Sequence, residues 1–86
     1  MTITKQIVAD QIAAYLRRGM TLAQLVEWAE NAMMEGEFDE KDAATISAVV
    51  ARLGVVDVRD FGLTWADCED LFGQLGFSAR IEIVAA

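Results

Sequence analysis

The greatest chemical capacity in this chain lies in its carboxylates, and they are concentrated. Glu27, Glu30, Glu35, Glu37, Asp39, Glu40 and Asp42 fall within one segment, where Lys41 is the only base. Glu35, Glu37 and Asp39 alternate, so their oxygens could line a single loop and raise the question of calcium. An EF-hand loop, however, wants oxygen ligands at positions one, three, five and twelve, with glycine at position six. The stretch EGEFDEKDAATI does not follow that pattern. The segment therefore reads as a charged rim, solvated or facing a partner, and no metal is expected on it.

Covalent and acid–base chemistry have little to draw on. The chain contains no histidine, which removes the commonest general base and the commonest metal ligand. Its serines are Ser47 and Ser78. Ser47 lies within the apolar run ATISAVV with no base nearby in sequence, so no hydrolase triad can be assembled. Acyl carrier proteins are similar in size and charge, but they need a serine directly after an aspartate at a helix start. Here Val58 follows Asp57 and Phe61 follows Asp60. No catalytic residue and no cofactor are expected, and the chain does not read as an enzyme. The lone thiol, Cys68, has no internal partner for a disulfide. Its place on an apolar helical face marks a small core residue, with an intermolecular bridge as the alternative.

Net charge narrows the choice of partner. Fourteen acids against seven bases give −7. Nucleic-acid binding draws much of its affinity from neutralising phosphates, and anionic membranes repel the same charge. Neither partner is expected. A basic protein surface is the complement; plain solvation is the competing explanation. No apolar run approaches the ~18 residues that span a bilayer. MTITKQIVAD lacks the basic and apolar regions of a secretory signal. The expected location is cytoplasmic, in keeping with a single cysteine.

Eighty-six residues form one domain, 1–86, a size that hides roughly 60–65% of the unfolded surface and supports one modest core. The strongest helix signal spans residues 21–36. Thr21 and Gln24 make a capping box, and Met20 and Leu25 occupy staple positions. Leu22, Leu25, Val26, Ala29, Ala32 and Met33 fall on one stripe, with Glu27, Glu30 and Asn31 opposite. Trp28 and Met34 lie off the stripe. Trp28 reads either as the edge of a wide core face against the last helix or as an anchor for a partner.

Three further helices are expected, over about 3–18, 39–53 and 64–75. In the first, Ile3, Ile7, Val8, Ile12, Tyr15 and Leu16 form the stripe, with Gly19 as the left-handed residue that ends it. Only Gly19 and Met20 separate this helix from the next cap, so the two must turn sharply and form an antiparallel or steeply crossed pair. Asp39 is the expected N-cap of the third helix, with Ala43, Ile46, Val49, Val50 and Leu53 inward, Gly54 as terminator and Val55 folding back to touch Val50. Residues 55–63 read as a short strand or, preferably, as an irregular or briefly helical connection. Thr64 caps the last helix, with Asp67 at N3 and Trp65, Cys68, Leu71, Phe72 and Leu75 on its apolar face. Gly76 with Phe77 closes it. From about 78 to 84 the period shifts to two, Ala79, Ile81 and Ile83 alternating with Arg80 and Glu82, which is the mark of a strand. Such a strand must pair with residues 55–58, with its own copy in a second subunit, or with another protein; a frayed tail is the remaining alternative.

The segment 12–34 carries one resemblance. A helix ending Tyr15-Leu16, a turn with Gly19, a capping Thr21, then Leu25 and Trp28-Ala29, resembles the opening of small uncharacterised bacterial helical proteins, among them immunity proteins that neutralise a toxin. The matching residues are mainly caps and core positions. They imply a helix pair and transfer no binding residue.

The expected molecule is mainly α: a compact four-helix domain with one short C-terminal β-strand. The expected function is that of a small acidic protein-binding module, an inhibitor or immunity-type protein, that meets a basic partner through Glu27, Trp28, Glu30, Met34, Glu35 and Glu37. The alternative is a self-associating structural or regulatory protein, a homodimer joined through Ile81 and Ile83.

Overall fold

The computed structural model describes residues 2–56 and 63–78. Among the described residues the chain is mainly helical, in the order β1 (Thr2–Ile3), α1 (Lys5–Leu16), α2 (Leu22–Glu35), β2 (Glu37–Phe38), α3 (Ala43–Gly54) and α4 (Trp65–Gln74). The strand expected over 78–84 lies, from residue 79 onward, outside the described residues, as do 57–62 of the connection before α4.

The N-terminus departs from expectation. Ile3 belongs to a strand, and α1 starts only at Lys5, where Thr4 caps it by accepting from the Ile7 N–H at 3.2 Å. β1 and β2 form a parallel pair with Thr2 opposite Glu37 and Ile3 opposite Phe38. The Asp39 N–H extends the pairing by donating to the Ile3 carbonyl at 3.0 Å. A helical period could not reveal this arrangement, because two-residue strands are too short to show alternation. Ile3 is buried there, 4% exposed, directly over Gly36. A Cβ on Gly36 would run into Ile3 Cδ1 and stand 2.7 Å from the Ala32 carbonyl oxygen. Glycine is thus required at 36 by close approach; its φ of −80° is open to any residue.

The start of the third helix is corrected in the same region. Asp39 does not cap it. Its carboxylate accepts from the Lys41 N–H at 3.2 Å and its carbonyl from the Asp42 N–H at 3.1 Å. That is a side-chain-stabilised turn, the structure with which aspartate competes against helix. Asp42 becomes the N-cap of α3, without a side-chain cap bond, and forms an ion pair with Lys5 at 3.7 Å.

Helix endings divide into two kinds. α4 closes as expected: Gly76 is left-handed at φ 87°, and the Phe77 and Gly76 amides donate to the Phe72 and Gly73 carbonyls at 2.9 and 3.0 Å. α1 uses the same bond pattern one residue early. Gly19 N–H donates to Ala14 at 2.8 Å and Arg18 N–H to Tyr15 at 3.0 Å, which puts Arg18, at φ 62°, in the left-handed position expected of Gly19. α3 does not use its glycine as a left-handed terminator. Gly54 is helical, and Val55 is 81% exposed instead of folding back onto Val50.

The core gathers Val8, Ala9 and Ile12 from α1, Leu25, Ala29 and Ala32 from α2, Ile46, Val49, Val50 and Leu53 from α3, and Leu63, Cys68, Leu71, Phe72 and Leu75 around α4. The dominant helix pair is α2 with α3, and α1 touches α2 less despite the short turn between them. Small residues explain the preference. Ala29 faces α3 at Gly54, where a Cβ built on the glycine would meet the Ala29 methyl at 3.9 Å, so the two backbones can approach closely. Cys68 is wholly buried and unpaired. Burial, followed by the neighbouring Asp67 charge, pushes its thiol above the usual range, which leaves it protonated and unreactive.

Candidate protein-binding surface

α2 is amphipathic in an uneven way. Its inner stripe is short and made of Leu25, Ala29 and Ala32; Thr21 and Gln24 exchange cap bonds of 3.1 and 2.8 Å at its start. The exposed side carries Glu27, Glu30 and Glu35 and no base. Glu27, Glu30 and Met34 recur at spacings of three and four, so they share one outward stripe. Met34 is 74% exposed at its end.

Met33 was expected to point inward and instead is 45% exposed. It reaches the boundary with α3, where Glu30, Met33, Met34, Ala51, Gly54 and Val55 line an open groove of about 430 Å³. Met33, Met34 and Val55 are the large hydrophobic residues left exposed among the described residues, and the groove brings all three together. The signal for Met33 was ambiguous because it sits at the stripe's edge. Val55 was missed because the glycine before it suggested a folded-back helix end.

The other expected residues separate. Trp28 is half-buried and packs against the core, on the flank of α2 away from Met33. It therefore does not join Met34 in one anchor pair. Glu35 is exposed at the last turn of α2, on the Trp28 side. Glu37 is exposed in β2 and lines a polar hollow with Thr2, Phe38, Asp39 and Glu40. The structure thus brings Glu27, Glu30 and Met34 together and spreads Trp28, Glu35 and Glu37 around them. Ile81 and Ile83 lie outside the described residues.

Electrostatics reinforce the negative sign of this face. The final turn of α2 has no basic residue to offset its carbonyl end. α3 has Arg52 in its last turn, but that guanidinium turns to α4, bonding Asp70 at 2.8 Å and Asp67 at 3.4 Å. A helix C-terminus carries about half a negative charge, so the end of α3 adds to the potential of Glu30 beside the groove.

Other depressions lie elsewhere among the described residues. One, at the α1–α2 turn, is lined by Tyr15, Arg18, Met20, Thr21, Gln24 and Leu63, where the Tyr15 hydroxyl makes a long 3.4 Å contact with the Leu63 carbonyl. The second runs between α1 and α4 past Asp10, Arg17, Trp65, Phe72 and Phe77 to Ser78, where the described chain stops. Among the described residues no three His, Cys, Asp or Glu side chains converge to hold a metal ion, and no helix is long and apolar enough to cross a membrane. In comparisons with family models, curated proteins and solved structures, nothing matches this chain.

Proposed function

We propose that this protein is a small, acidic, non-enzymatic binding module of the cytoplasm, of inhibitor or immunity type, whose α2 face meets a basic surface on another protein. The observation that carries the reading is the shared outward stripe of exposed Glu27, Glu30 and Met34 on a helix that bears no base. Acids supply steering and sign selectivity, and a large apolar side chain set among them supplies the desolvated contact on which affinity depends.

The test is comparative capture from native extract by the immobilised protein and by a Glu27→Lys/Glu30→Lys/Glu35→Lys variant, each eluted with rising salt. The expected result is a basic protein held by the native chain, released at moderate salt and absent from the variant. Equal capture by both, with elution independent of salt, would remove the acidic face from the reading.

Self-association through a C-terminal strand over 78–84 is the second reading. It rests on the period-two pattern that sets Ile81 and Ile83 on one face. An Ile81→Lys variant is then expected to be monomeric by light scattering where the native chain is a dimer, with its helical circular dichroism unchanged.

A further inference from the structure

We propose that the groove between α2 and α3 receives the apolar face of a basic amphipathic helix from a partner protein. The inference rests on the binding function above and goes further, naming the seat, the shape and the chemistry of what binds.

The seat is defined by what the core leaves unused. Met33, Met34 and Val55 are 45%, 74% and 81% exposed, and they share one groove with Ala51 and Gly54. The floor is low because Ala51 and Gly54 carry little or no side chain, and the walls are flexible. Methionine has no branch and a polarizable sulfur, so two of them can reshape around an incoming side chain. The length along the helices is one to two turns, enough for two or three apolar residues at spacings of three and four.

The occupant's backbone follows from the walls. The groove is lined by helical segments, whose amides are engaged within the helices. β1 and β2 lie elsewhere, so among the described residues no strand edge is offered here. An extended peptide would gain no ladder of main-chain bonds and would leave its own amides unpaired against an apolar wall. A helix satisfies its backbone internally and presents side chains alone.

Charge decides the sign. Glu30 lines the groove, Glu27 lies one turn before it on the same outward stripe of α2, and the carbonyl end of α3 opens beside it while Arg52 is held by Asp67 and Asp70. Lysine or arginine flanking the apolar residues of the guest complements all three. A second copy of this chain is disfavoured, because a two-fold contact through this groove would set Glu30 against Glu30 between molecules that each carry −7.

The test uses a synthetic leucine–lysine amphipathic helix as probe, with a lysine–glycine peptide of equal charge as control, and follows the methionine methyl and backbone amide resonances of the intact chain. The expected result is binding of the leucine–lysine helix, with shifts centred on Met33, Met34 and Val55. A Met34→Lys/Val55→Lys variant should bind about tenfold or more weakly. Both substituted side chains are already in water, so its unfolding midpoint should stay near the native value. Equal affinity for the lysine–glycine peptide would overturn the groove while leaving the acidic-face function standing; failure of both peptides to bind would remove both. Shifts centred on α1 or α4, or full affinity in the variant, would place the guest elsewhere. A native dimer that the variant loses would identify the occupant as a second copy and overturn the proposal.

Discussion

Arg18 holds a left-handed backbone at φ 62° although glycine is its next neighbour. For a residue with a Cβ this conformation costs about 1–2 kcal/mol, and the chain accepts it because ending α1 here leaves Gly19 and Met20 to lead into the Thr21 cap. Arg18→Gly should therefore raise stability by about 0.5–1 kcal/mol, the relief of strain being partly offset by the freer unfolded chain. Gly19→Ala should be nearly neutral, since its new Cβ would meet the Ala14 carbonyl at an ordinary 3.4 Å. Urea denaturation checks both, and a Gly19→Ala loss larger than the Arg18→Gly gain would move the left-handed position back to Gly19. A run of Arg-Arg-Gly announces that a helix ends; it does not say at which of adjacent residues the turn closes. Asp39 shows the same ambiguity, because aspartate suits a turn and an N-cap for the same reason: its carboxylate accepts from nearby amides.

Elements were most legible where local chemistry and burial pointed the same way. The caps at Thr21 and Thr64, the inward faces of Ile46, Val49, Val50 and Leu53, and the Gly76 termination of α4 all follow from short-range patterns that tertiary packing does not oppose. The parallel pair of Thr2–Ile3 with Glu37–Phe38 depends on residues far apart in the chain and left no periodic trace. The groove was half legible: Met34 lies plainly off the stripe, whereas Met33 sits at the stripe's edge and Val55 just past a glycine, and both are exposed. At α4, Thr64 and Asp67 exchange cap bonds of 3.1 Å each. The bond from the Thr64 backbone amide is the main cause, with the Thr64 side chain next and Arg52 a lesser contributor, that holds the Asp67 carboxyl below its ordinary 3.8. A depressed folded value means stabilisation present above the unfolded value and lost as pH falls through the folded one. Thr64→Ala should cost about 1 kcal/mol near neutrality. Asp67→Asn should flatten the loss of stability on acidification below 3.8. Unfolding of the three proteins at neutral and acid pH measures both effects, and parallel pH profiles for native and Asp67→Asn chains would contradict the cap as the cause.

At the scale of the whole molecule, the fold sets acids of α2 beside the spare apolar surface of the described residues. Arg52 is drawn to α4, Lys5 to Asp42, and α2 is left with acids alone beside a groove of methionine and valine. A chain selected for solubility only would have no reason to keep Met33, Met34 and Val55 together in water. Hydrogen exchange of the native chain, alone and with a basic protein that it retains from native extract, examines this surface most directly. Slowed exchange is expected in the second half of α2 and around residues 51–56, with α1 and α4 exchanging as in the free protein. Protection confined to α1 or α4, with α2 unchanged, would contradict the assignment of the binding face.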